Sequence, residues 1–143
     1  MGKLRVRRMS AEDFADFCSK ASAKDIQEAL NVGAEWDERA FFSAASSNTD
    51  PRVIWILLNE ARKSSVNLIN AKAKNNKQTA LHCSAGHNNN PEITKALIAA
   101  GASVNVRNAY GQTPLDIAKT VHQMKWREHR PEIIEMLKKA GAV

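Results

Sequence analysis

Apolar residues recur along this chain with the spacing of helices that bury one face. After Pro91 they fall at Ile93, Ala96, Leu97 and Ala100, offsets of 0, 3, 4 and 7, which is the stripe of an amphipathic helix. Ile133, Met136, Leu137 and Ala140 repeat it after Pro131, and Val53, Ile56 and Leu57 begin it after Pro51. The three prolines stand 40 residues apart, in Asp50-Pro51-Arg52-Val53, Asn90-Pro91-Glu92-Ile93 and Arg130-Pro131-Glu132-Ile133. Asp50 and Asn90 supply an acceptor for the orphan amides of a helix start, and proline fits the first turn with its φ already set. The spacing therefore predicts three equivalent helices. A fixed period of this length marks stacked units that cannot bury their apolar faces alone.

A shorter helix is predicted before each of these. The clearest starts are Thr79-Ala80-Leu81-His82 and Thr113-Pro114-Leu115-Asp116, 34 residues apart. Threonine caps, and Pro114 can occupy the first turn. Gly101-Ala102-Ser103-Val104-Asn105, followed by Gly111-Gln112-Thr113-Pro114-Leu115, gives the passage between units. On these residues the chain resembles the ankyrin-repeat family, whose unit is a β-turn finger and two antiparallel helices with a Thr-Pro-Leu-His type opening. The resemblance implies an all-α solenoid of stacked helix pairs with short fingers. About four repeats are expected, over 11–34, 35–68, 69–104 and 105–143, behind a basic tail at 1–10.

The units are uneven. Phe14, Phe17 and Cys18, then Ile26, Ala29 and Leu30, give a helix pair ending at Gly33-Ala34 that looks like a degenerate N-terminal capping repeat, opened by a capping box of Ser10 and Asp13. The next unit keeps Phe41, Ala44 and Ala45 but has Arg39 in the Thr position and Phe42 in the His position, so its hydrogen bonding must differ. Three lengths also depart from the pattern. Gly33 to Arg39 is six residues shorter than Gly101 to Thr113, which leaves the first finger absent or reduced. Leu58 to Thr79 is six longer than Ile98 to Thr113, which predicts an exposed extension at 62–66. Thr113 to Pro131 is six longer than Thr79 to Pro91, so 120–130 extends a helix or makes a loop.

In the family, finger tips and inner-helix starts line a concave face across which a protein partner lies. The matched positions here are Trp36 and Glu38, then Asn75, Asn76, Gln78 and His87, then Tyr110, Gln112 and Thr120. Trp36 reads equally as an exposed contact or as packed against the capping repeat. Tyr110 sits at a finger tip and is expected to be exposed, and aromatics are enriched among interface hot spots. His82 occupies the family's Leu-His position, where the resemblance implies a hydrogen bond between adjacent repeats.

Charge opens a second reading. The net charge is +6 and the pI about 9.6, and clustered lysine and arginine attract phosphates. Yet Lys3, Arg5, Arg7 and Arg8 lie in the tail, and residues 9–143 hold 17 basic against 15 acidic side chains, a net of +2. Nucleic-acid or anionic-surface binding would need that arm together with Lys72, Lys74 and Lys77, whereas a frayed solubilising terminus is the plain alternative. Lys125, Trp126, Arg127, His129 and Arg130 form a second basic cluster, either an exposed secondary contact or, for Trp126, part of the C-terminal cap.

Other chemistries find no footing. Cys18 and Cys83 read as small, reduced core residues. His82, Cys83 and His87, or His122 with His129, lack the four paired ligands of a structural zinc site. The carboxylates are dispersed, no Ser, His and Asp set converges, and the six glycines are not spaced to cradle a phosphate. A protein-binding monomer without catalytic activity or cofactor is expected. The longest apolar run, Val53 to Leu58, is six residues, far below the roughly 20 needed for a membrane span. With no secretory signal at the N-terminus, a cytoplasmic location is expected, with export to act in a host cell left open.

Overall fold

A computed structural model of the chain describes residues 8–123 and 130–143, apart from the side chains of His122 and Gln123. Among the described residues eight helices follow one another: α1 Ala11–Cys18, α2 Ala23–Asn31, α3 Glu38–Ser47, α4 Pro51–Lys63, α5 Ala80–His87, α6 Pro91–Ala99, α7 Pro114–Gln123 and α8 Arg130–Lys139. Ser10, Ser22, Asp37, Asp50 and Asn90 open five of them, each accepting a backbone N–H of the first turn. At Ser10 only the forward bond, from the Asp13 N–H, is formed. The odd-numbered helices pack side by side in one layer and the even-numbered ones in a second, so every unit borrows its neighbours to cover its apolar face.

The core lies between the layers. Phe14, Phe41, Leu81 and Leu115 from the inner helices meet Ile26, Ile54, Leu97 and Ile133 from the outer ones, all essentially inaccessible. Burial of each such side chain contributes about 1.5–3 kcal/mol. Inner helices approach closely because they carry small residues: Ala40, Ala44, Ala45, Ala80 and Ala85 are buried, and a Cβ on Gly86 would stand 2.9 Å from Ile117 Cγ2 of α7. Ala140, expected in the apolar stripe of α8, lies just past the end of that helix and is exposed.

Outer helices end on a residue in the left-handed conformation. Gly33, Gly101 and Gly141 take φ between 91 and 102° after α2, α6 and α8, and the next N–H returns to a carbonyl of the last turn. After α4 that place holds Ser65, at φ 57°. A side chain there costs about 1–2 kcal/mol, offset in part by the greater freedom of glycine in the unfolded chain. Ser65→Gly is therefore expected to raise stability by about 0.5 kcal/mol, read as a small increase in the urea midpoint at unchanged slope.

A ladder of side chains ties each unit to the one before it. Asn48 donates from Nδ2 to the carbonyls of Cys18 and Ala21, at 3.0 and 2.9 Å, where α1 ends. Asn88 does the same 40 residues later, to Ala45 and Asn48 at 2.9 and 2.8 Å. Their Oδ1 atoms accept the N–H of Asp50 and Asn90, the caps of the outer helices. In the last unit the sequence has Glu128 in this register, and Arg130 takes the donor role. Its guanidinium bonds to the carbonyls of Ala85 and Asn88, the counterparts of Ala45 and Asn48, and the side chain is 0% exposed. The expectation that Arg130 belongs to an exposed basic cluster is thereby corrected: the carbonyl end of α5 is the negative pole of a helix, where a buried cation is favoured.

The length changes resolve locally. The longer connection after α4 puts four of its six extra residues into the helix, 13 residues against 9 in α6, and Arg62, Lys63, Ser64, Ser65 and Val66 are all exposed. The second unit begins two residues early. Asp37 rather than the residue in the Thr register caps α3, and the Arg39 guanidinium folds back onto its carboxylate at 2.8 Å. The last extension falls largely on residues 124–129, outside the described residues.

Candidate functional site

Two fingers project from the inner layer. In the first, around residues 69–78, Ala73 N–H donates to Gln78 at 2.8 Å, Lys77 N–H donates to Ala73 at 2.9 Å, and Asn76 Oδ1 accepts the Gln78 N–H. In the second, Asn108 N–H donates to Gln112 at 2.9 Å, and the buried Asn108 Oδ1 accepts the N–H groups of both Tyr110 and Gln112. Arg107 closes this tip by donating to the Gly111 carbonyl at 2.7 Å. The fingers are joined to each other where the Ala109 N–H meets the Asn76 carbonyl at 2.8 Å. Gly111 takes φ 76° at a place where the first finger holds Lys77, at φ 56°.

His82 locks finger to helix. Its Nδ1 accepts the Thr79 N–H at 3.1 Å and the Thr79 hydroxyl at 2.9 Å, so Nε2 carries the proton and donates to the Gln112 carbonyl of the next finger at 2.9 Å. Burial holds the imidazole below its ordinary range and nearby Lys72 acts in the same sense, while contacts with the backbone of Gln112 and Val106 oppose them. Both ring nitrogens are committed to the fold. Thr113 and Asp116 open α7 in a related way, with the Thr113 N–H on Asp116 Oδ2 and the Asp116 N–H on Thr113 Oγ1. The hydrogen bond from the Thr113 backbone holds the Asp116 carboxyl below the usual range. Leu81, Pro114 and Leu115 are buried, and Gly101 and Gly111 lie at exposed turns.

The nominated contact residues divide by exposure. Asn75, His87, Tyr110 and Thr120 are exposed, Tyr110 at 75%. Glu38, Asn76, Gln78 and Gln112 are half-buried, the last three through the finger bonds just described. Trp36 is also half-buried and packs on the core. The structure brings Glu38, Asn75, Asn76 and Gln78 together around one groove of about 610 Å³, between α3 and the first finger, which Phe42 and Cys83 also line. Phe42, passed over in the sequence as a mere departure from the His register, is part of this surface, and its large apolar side chain at an inner-helix start was the available signal. Lys72, Lys74 and Lys77 stand exposed on the same finger. Lys3, Arg5, Arg7, Lys125, Trp126, Arg127 and His129, and the side chain of His122, lie outside the described residues.

Cys18 and Cys83 are buried free thiols, and burial pushes Cys18 up to about 12. Among the described residues no three His, Cys, Asp or Glu side chains stand together as metal ligands, and no helix is long and apolar enough to cross a membrane.

Paired helices in two layers, joined by fingers that bond to one another, define an all-α repeat solenoid. The sequence matches the family described as ankyrin repeats (3 copies) over residues 25–142. The chain belongs to the ankyrin-repeat family, whose members generally serve as protein–protein interaction modules and are typically non-catalytic. No curated protein matches the chain.

Proposed function

We propose that this chain is a non-catalytic module that works as a monomer and holds a protein partner on its concave face of finger tips and inner helices. The observation that supports this best is Tyr110: a 75% exposed aromatic on a tip whose backbone is fixed by Asn108, Arg107 and the neighbouring finger. A rigid exposed ring buries much area on binding at little cost in rotamer freedom. Trp36 contributes as packing for the first unit, with Glu38, Asn75, Gln112, His87 and Thr120 as polar contacts around the anchor.

Tyr110→Ala is expected to weaken capture of the partner about thirtyfold, the effect of losing a hot spot worth about 2 kcal/mol, and to leave the thermal midpoint unchanged. Equal affinity in the variant would remove Tyr110 from the interface. The three exposed lysines of the first finger favour a second reading, contact with a nucleic acid or another anionic surface helped by the N-terminal arm. That reading predicts affinity that falls steeply with salt and is lost when residues 1–8 are deleted.

A further inference from the structure

The shortened connection before α3 removes a finger, and no described residue fills its seat. Where both fingers exist, the second donates the Ala109 N–H to the Asn76 carbonyl of the first. The counterpart of Ala109, 34 residues earlier, is Asn75. The first tip is one residue longer than the second, Ala73 being bonded to Gln78 where Asn108 is bonded to Gln112. Asn75 lines the groove on the side of the missing finger, and among the described residues its N–H has no acceptor.

That place is a trough. A cavity of about 670 Å³ at the finger base, lined by Trp36, Val66 and Lys72, shares Asp37 and Glu38 with the groove of about 610 Å³ nearer the tip. Half-buried Trp36 and Phe42 supply apolar surface in it. Its charges are not balanced. Asp37 is taken by Arg39 at 2.8 Å and Glu35 by Arg8 at 3.6 Å, whereas Lys72 and Lys74 form no ion pair among the described residues. Two free ammonium groups therefore face one free carboxylate, that of Glu38.

From the open donor, the apolar lining and the two lysines we propose that the trough takes an extended segment of a partner protein in place of the absent finger. One carbonyl of that segment accepts the Asn75 N–H and an acidic side chain sits between Lys72 and Lys74. Main-chain bonding of this kind supplies affinity while side chains supply selection. The proposal rests on the protein-binding reading above and names the chemistry of the partner at one end of that face.

The test is to restore the finger. Six residues with the sequence of the 107–112 tip are inserted between Ala34 and Asp37, and peptides selected on the unaltered chain from a random display library serve as probes. The selected peptides are expected to be rich in aspartate and glutamate. The restored-finger variant should lose them by about a hundredfold at an equal or higher thermal midpoint, and Lys72→Glu with Lys74→Glu should weaken them about tenfold through charge alone. The lysine pair keeps the test decisive if the inserted finger fails to fold.

Several outcomes overturn the proposal. One is a selection that yields no binder, and another is a set of peptides held equally by the lysine variant. Peptides lost on Tyr110→Ala but kept by the lysine variant would also overturn it, and would leave the broader protein-binding reading standing. Tighter peptide binding after deletion of residues 1–8 would assign the trough to the chain's own arm instead.

Discussion

Replacing Arg130 by alanine is expected to destabilise the protein by about 2–5 kcal/mol, the cost of leaving two buried carbonyls without their donor. The substitution takes the donor from the carbonyls of Ala85 and Asn88 in a place closed to solvent, and a buried acceptor left unsatisfied costs about 1–3 kcal/mol. At this chain length the thermal midpoint should fall by roughly 10 °C. The loss is directional. Arg130 begins α8 and reaches the end of α5 in the unit before, so its removal weakens the interface between units, on which a linear stack depends. Amide exchange should therefore rise first in α8, with the first two helix pairs still protected. Lysine at 130 keeps the charge but not the fork that reaches two carbonyls, and should recover less than half of the loss. An unchanged midpoint in the alanine variant would show that water replaces the guanidinium without penalty.

Arg130 also shows where the sequence stops being readable. The Pro51, Pro91 and Pro131 register exposes the outer helices because proline at a helix start and the apolar stripe after it are local features. Asn48 and Asn88 stand in the same 40-residue register, so the ladder was visible in principle, but asparagine before a helix reads first as an ordinary turn residue. Its last rung was hidden. The donor moves from the asparagine register to a residue two positions on, and a charged side chain beside other basic residues reads as surface. Only the position of the α5 carbonyls shows that a guanidinium can serve there as an amide does elsewhere.

The candidate site was legible in the same partial way. The six-residue deficit before α3 announces a missing finger, because chain length alone limits what can be built there. It does not say what walls the vacancy. That Asp37 caps α3 and captures Arg39, leaving Lys72 and Lys74 as the free charges, depends on where two elements far apart in sequence come to rest. Tyr110 was readable as exposed because the side chain at a finger tip stands away from the helix layers that form the core. Trp36 was not, since a bulky aromatic next to a capping unit packs or protrudes according to backbone direction.

His82→Ala is the second large effect expected, about 2–4 kcal/mol from lost hydrogen bonds and the cavity left by the ring. The change leaves the Thr79 N–H without its acceptor and takes from the Gln112 carbonyl the donor that ties it to α5, leaving it the Asn108 N–H of its own finger, and so loosens the second finger from α5. Its size should depend on pH in a fixed sense. Burial holds the imidazole of the folded protein below 6.5, the ordinary value that the unfolded chain retains. Below that pH the unfolded chain binds the proton more readily, so the contribution of the neutral ring is complete above 6.5 and is lost as pH falls toward the folded value. Denaturation at pH 8 and pH 5 should thus show a gap between wild type and variant that narrows on acidification. The carboxylates act elsewhere on the scale. Asp37 and Asp50, bonded to the side chains of Arg39 and Arg52, and Asp116, bonded to the Thr113 backbone, are held below 3.8 and lose their contribution only as pH drops beneath that value. A gap that stayed constant from pH 8 to pH 5 would mean that the ring is protonated in the folded stack, and with Nδ1 occupied by the Thr79 N–H the geometry leaves no room for that proton.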